Sequence, residues 1–169
     1  LAVIPGVMRR SSAGFFEKEP TGTFFMMLTL YFFTRSWKRD ERLAGILSGL
    51  SLSLFTISWG GSKMLWLLLP MVVGSVMFID EDIKSLLIAY TPTVLIGGGV
   101  ASTLNPNKFW FTDTFFVANL GLLGLLWARY GVEEFELIDS SNLKYFVPGA
   151  SLLGGLALLL SPLYSEFLT

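Results

Sequence analysis

Glu17 and Glu19 stand one residue apart in the stretch Pro5-Gly-Val-Met-Arg-Arg-Ser-Ser-Ala-Gly-Phe-Phe-Glu-Lys-Glu-Pro20, immediately ahead of a long apolar run. In an extended segment alternate side chains share a face, so the two carboxylates make a pair of hard oxygen donors suited to one divalent cation. Arg10 lies seven residues upstream. The chain has no His and no Cys, which removes Ser-His triads, thiolate nucleophiles, disulfides and zinc helices of the H-E-x-x-H kind. Any chemistry must therefore run on carboxylates, Arg, Lys or Tyr. The same residues also fit a solvated helix entrance, with acids near the positive end of the helix dipole and Pro20 at the first helical position.

The elements that must position this stretch belong to a membrane protein. Of 169 residues, 53% are hydrophobic and 15% aromatic, the mean hydropathy is +0.63, and the apolar residues come in long blocks. A net charge of −1 gives no basic stripe for nucleic acid, so nucleic-acid binding is excluded as a function class. The pattern predicts an all-α, polytopic transmembrane bundle of about six spans, preceded by the end of another helix in residues 1–8. The divisions are an external loop over 1–19, six helices within 20–161 and the start of a further external loop over 162–169. Leu1 is not an initiator methionine, and the chain reads as a central fragment of a larger protein.

The expected spans run over about 20–34, 43–59, 64–79, 84–104, 112–128 and 145–161. Between the first two lies a basic loop with four cations in residues 35–42. The positive-inside rule places that loop in the cytoplasm and Glu17 and Glu19 on the extracytoplasmic side. Across the whole chain the rule divides the cations seven (35, 38, 39, 42, 84, 129, 144) to five (9, 10, 18, 63, 108).

Span two carries Gly45-x-x-x-Gly49, a spacing that permits close helix approach, and its serines read as packing residues bonded to their own backbone. Pro70 should kink span three. Pro92 and Gly97-Gly98-Gly99 should bend or break span four. Thr112, Asp113 or Thr114 can cap span five, within which Asn119 is expected to hydrogen-bond another helix. Asp80-Glu81-Asp82 reads as a solvated loop, and the connection after Arg129 as a stretch lying on the membrane surface.

The first stretch resembles the second external loop of the catalytic subunit of oligosaccharyltransferase, the STT3/AglB/PglB family. There a pattern like P-G-x-x-x-R-S-x-A-G-x-x-D-x-E/D precedes a transmembrane helix. The matching residues are Pro5-Gly6, Arg10-Ser11, Ala13-Gly14 and Glu17-x-Glu19, with Glu17 where the family usually has Asp. Trp59-Gly60-Gly61 matches a second family feature at the end of the next-but-one helix.

The resemblance implies a membrane domain like that of the GT-C glycosyltransferases and transfer of an oligosaccharide from a polyprenyl or dolichyl (pyro)phosphate carrier to Asn of an N-x-S/T sequon in a polypeptide. It implies Mn²⁺ or Mg²⁺ held by Glu17 and Glu19, with Arg10 catalytic. It also implies Glu166 as the fifth-loop glutamate, although Tyr164-Ser165-Glu166 departs from the family's T-I-x-E. The family's first-loop aspartate and its W-W-D-x-G motif lie outside these residues. One alternative is a transporter or channel subunit with a path along the broken helices, against which no span interior holds an ionisable residue. Another is a different lipid-carrier glycosyltransferase of the same broad membrane fold.

Overall fold

The computed structural model describes residues 18–79, 83–105 and 113–135, where every regular element is a helix. The order is α1 (Lys18–Arg39), α2 (Arg42–Ser58), a single 3-10 turn (Gly60–Ser62), α3 (Lys63–Ile79), α4 (Ile83–Leu104) and α5 (Thr114–Glu134). The bounds of α2, α3 and α4 follow the apolar blocks. Of the expected sixth span, 145–161, nothing is described.

Two helices run further than the apolar residues do. The expected basic loop is mostly helix: α1 carries Arg35, Lys38 and Arg39, leaving only Asp40 and Glu41 as connection. Arg and Lys are good helix formers, so hydropathy marks where a membrane core stops and not where the helix stops. The stop comes from Asp40, whose φ of 54° is the left-handed conformation that Asp tolerates better than most residues. The corner is then tied: the Arg35 guanidinium donates to both Glu41 carboxylate oxygens at 2.6 and 3.2 Å, and Ser36 Oγ donates to the Glu41 carbonyl at 3.0 Å. Likewise α5 continues to Glu134, through an Arg129–Glu133 pair one turn apart at 2.8 Å, where 128 was the expected end.

Successive helices alternate in direction, so α2 and α4 run parallel, and they pack closely. A Cβ built on Gly45 would stand 2.7 Å from Pro92 Cγ, and one on Gly49 would stand 2.6 Å from the Pro92 carbonyl oxygen. Both distances are shorter than real contacts, so only glycine fits, as the small-residue spacing predicts. Of the expected bend or break, α4 shows no break: it is one helix through Pro92 and its three glycines. Gly97 accommodates Leu52 and Gly98 the ring of Phe116, so these glycines serve packing.

Between them the helices enclose Leu52, Phe55, Trp66, Tyr90, Val94 and Leu126, each fully buried. Outward faces are apolar as well: Leu43, Ile46, Leu50 and Leu54 are exposed along α2, and Met64, Leu67, Leu68, Met71 and Val72 along α3. A helix apolar on both faces belongs in lipid. Three segments, Gly60–Met77, Ile83–Leu104 and Thr114–Glu134, are long and apolar enough to cross a membrane, and Arg42–Ser58 is a shorter apolar helix.

Candidate functional site

At the end of the bundle where α1 begins, the turn after α2 leads into α3. Trp59 leaves α2 with extended backbone (φ −142°, ψ 131°), which swings its indole off the helix axis and back toward α1. Its ring lies so close to Gly22 and Gly61 that a Cβ at either would come within 2.8 Å of Trp59 atoms. Phe55 supports the ring from α2 at a centroid distance of 5.8 Å. Gly22 is three residues after Glu19, so Trp59-Gly60-Gly61 is packed against the first turns of the helix into which the Glu17-x-Glu19 stretch runs.

The same end is closed on the α5 side by charge. Asp113 caps α5 by accepting from the Phe115 amide at 3.0 Å, which selects one of the three expected caps. Its other oxygen stands 3.5 Å from Lys63 Nζ at the start of α3, and Lys63 lies over the Phe115 ring at 5.7 Å.

Of the candidate site residues, Arg10, Glu17 and Glu166 lie outside the described residues. Glu19 falls in the first turn of α1. The extended segment expected to carry Glu17 and Glu19 does not include Lys18 or Glu19, because the helix begins two residues before Pro20. Pro needs no amide partner in a first turn, and it sits third in this one. Among the described residues no three acids gather that could hold a metal. The donor set itself, two carboxylates in a chain without His or Cys, fits a hard divalent cation such as Mg²⁺ or Mn²⁺.

Sequence reasoning missed the polar chain that holds this end together. Asn119, fully buried on α5, donates to the Trp66 carbonyl of α3 at 2.7 Å and to its own Phe115 carbonyl at 2.6 Å. Its oxygen accepts from Tyr90 of α4 at 2.7 Å. Trp66 Nε1 donates to Thr56 Oγ1 of α2 at 2.9 Å, and Thr56 donates to the Leu52 carbonyl at 2.8 Å. Four helices are thus tied through one buried network, which fulfils the expectation that Asn119 bonds another helix. The signal lay in Pro70: lacking an amide hydrogen, it leaves the carbonyl four residues earlier without a helical partner, and that carbonyl is Trp66.

A membrane protein whose described residues are all-helical, with Trp59 packed on the early turns of α1, is the class these features define. The family described as "Oligosaccharyl transferase STT3, N-terminal" matches residues 1–132, and the chain belongs to this STT3 family. It is 26% identical over 83% of its length to a dolichyl-diphosphooligosaccharide–protein glycosyltransferase subunit STT3B of Oryza sativa subsp. japonica, of which it covers 20%. It is 23% identical over 93% of its length to the STT3B subunit of Arabidopsis thaliana, covering 22%. The STT3A subunit of Oryza sativa subsp. japonica is 29% identical over 57% of the chain, which covers 12% of that relative. The chain thus spans about a fifth of the length of the first two relatives.

Proposed function

We propose that this chain is part of the catalytic subunit of an oligosaccharyltransferase, transferring an oligosaccharide from a polyprenyl or dolichyl (pyro)phosphate carrier to the Asn side chain of an N-x-S/T sequon. The observation that carries this reading is the packing of Trp59, the first residue of one matching motif, on Gly22 of α1, the helix in whose first turn Glu19 of the other motif falls. Family membership over residues 1–132 supports the class of reaction.

In this reading Glu17 and Glu19 hold a divalent cation, Mn²⁺ or Mg²⁺, and Arg10 and Glu166 approach from loops on the same side. The cation, when bound, supplies positive charge near the carrier's phosphate. The carboxylates face a demanding task, since an amide nitrogen is a poor nucleophile and must be held and polarised as the bond to the sugar forms. Trp59 packs against Gly22 in the early turns of α1, which braces the helix that follows the carboxylate stretch. The basic end of the bundle, with Arg35, Lys38, Arg39 and Arg42, faces the cytoplasm in this reading. Glu17 and Glu19 then act on the extracytoplasmic side.

The test uses the full-length enzyme. Glu17→Gln or Glu19→Gln should cut glycosylation of an N-x-S/T peptide severely, with partial recovery in either single variant at raised Mn²⁺ or Mg²⁺. The double variant should not recover. Normal turnover and unchanged metal dependence in both single variants would leave Glu17-x-Glu19 as a charged helix entrance and end this reading.

A further inference from the structure

At the end of the bundle opposite Trp59, helices α2, α4 and α5 leave a groove of about 370 Å³. Its lining is divided by chemistry. Arg42, the first residue of α2, and Lys84, the second of α4, supply cations, while Ile46, Pro92, Trp127 and Tyr130 supply an apolar and aromatic wall. The other two arginines at this end with described partners are engaged, Arg35 by Glu41 and Arg129 by Glu133 and the Met77 carbonyl. Arg42 and Lys84 are exposed and form no ion pair among the described residues.

The wall is not sealed from lipid. Ile46 is 41% exposed and Trp127 51% exposed, on faces that continue into the outward apolar stripes of the helices. Trp127 is held in place by donating to Thr91 Oγ1 of α4 at 3.2 Å and by an edge contact with Tyr130 at 6.1 Å. Aromatic side chains fixed this way mark the depth of a membrane's headgroup region. A small anion from water would use the cations and leave the wall uncovered. A neutral lipid would use the wall and leave the cations unmatched.

We propose that this groove binds an anionic phospholipid, with its phosphate on Arg42 and Lys84 and an acyl chain along Ile46, Pro92 and Trp127. Helices α2 and α4 both begin here, so their positive dipole ends add to the same attraction. Glu134 and the sequence neighbours Asp80, Glu81 and Asp82 oppose it. The site rests on the direct reach of two cations into an apolar groove and not on the net charge of this end.

The experiment is lipid binding to the delipidated full-length protein by native mass spectrometry, with phosphatidylglycerol, phosphatidylcholine and inorganic phosphate as probes. Each basic residue near anionic lipid is worth roughly a fivefold change in affinity, so Arg42→Gln/Lys84→Gln should weaken one phosphatidylglycerol site about thirtyfold and leave phosphatidylcholine binding unchanged. Ile46→Trp, which keeps both charges but fills the groove, should weaken the same site. The charge-preserving Arg42→Lys/Lys84→Arg should retain it and, with Ile46→Trp, carries the test if the Gln pair does not fold. Equal phosphatidylglycerol affinity in Arg42→Gln/Lys84→Gln overturns the proposal. So does displacement by millimolar inorganic phosphate, which would mean a free-anion site, or tight phosphatidylcholine binding lost only in Ile46→Trp, which would mean an apolar groove alone.

Discussion

Pro70 and Pro92 pose the same problem in two regions of the bundle, and the bundle answers it in two ways. Each proline removes the amide that would serve the carbonyl four residues earlier. In α3 the orphan is Trp66, and a side chain from another helix takes it: Asn119 donates at 2.7 Å. In α4 the orphan is Ile88, and among the described residues no side chain donates to it. Instead the backbone of α2 comes close, to the point that a Cβ on Gly45 would stand 2.9 Å from the Ile88 oxygen. Close approach of a glycine Cα hydrogen to a carbonyl is a weak interaction, but it needs only a missing side chain. The α3–α5 seam is therefore held by directional bonds and the α2–α4 seam by shape, and the two should fail differently.

The largest effect should come from violating shape. Gly49→Leu places a side chain against the Pro92 carbonyl and Ile96 Cβ, at 2.6 and 2.9 Å for its first carbon alone. Overpacking commonly costs about 1–3 kcal/mol, and here backbone must move on both helices, so the upper part of that range is expected. Thermal unfolding of the purified full-length protein reads it, and an unchanged midpoint would show that α2 and α4 do not pack as described.

Removing the directional bond should cost somewhat less. Asn119→Leu leaves the Trp66 carbonyl and the Tyr90 hydroxyl buried without their partner, worth about 2 kcal/mol in total for bonds of this kind. Tyr90→Phe, losing one bond and leaving Asn119 its two carbonyls, should cost about 0.6 kcal/mol. The contrast sharpens in a double variant. Pro70→Ala restores an amide hydrogen that Trp66 can accept, so Asn119→Leu should be milder in a Pro70→Ala background than in the native one. Strict additivity in that cycle would mean that Asn119 does not substitute for the missing amide.

The two seams were not equally legible beforehand. Gly45-x-x-x-Gly49 announces close approach through residue size and spacing alone, because any partner must come near where side chains are absent. Asn119 announces only that a partner exists, since which carbonyl it meets depends on where α3 lies. Helix ends were read well where hydropathy and helix coincide, as in α2 and α3, and missed where charged helix formers prolong the helix, as at Arg35–Arg39 and Arg129–Glu134. At the candidate site, the motifs around Glu17 and Trp59 were visible as residue patterns. The packing of Trp59 on Gly22 was not, because a glycine that receives an indole from 37 residues away leaves no local periodic signal.

The smallest effect belongs to neither seam but to the corner that orients α1 against α2, and it is distinguished by its pH dependence. The Arg35 guanidinium holds the Glu41 carboxyl below its ordinary value of 4.5, mainly through their hydrogen bond. A depressed carboxylate stabilises the folded state at pH above its unfolded value, and that contribution disappears as pH falls through the lower folded value. Both side chains are well exposed, 40% and 36%, so the pair is screened by salt and adds little to stability. Glu41→Gln should therefore melt slightly below the native protein at neutral pH and low salt. The gap should close in high salt, and also as pH falls through the lowered folded value, where Glu41 itself becomes neutral. Ser36 Oγ still donates to the residue 41 carbonyl in the variant, so the corner keeps its shape while losing its charge pair. A gap that persists unchanged at acid pH and high salt would assign the role of Glu41 to packing, making this corner a second example of stability by shape.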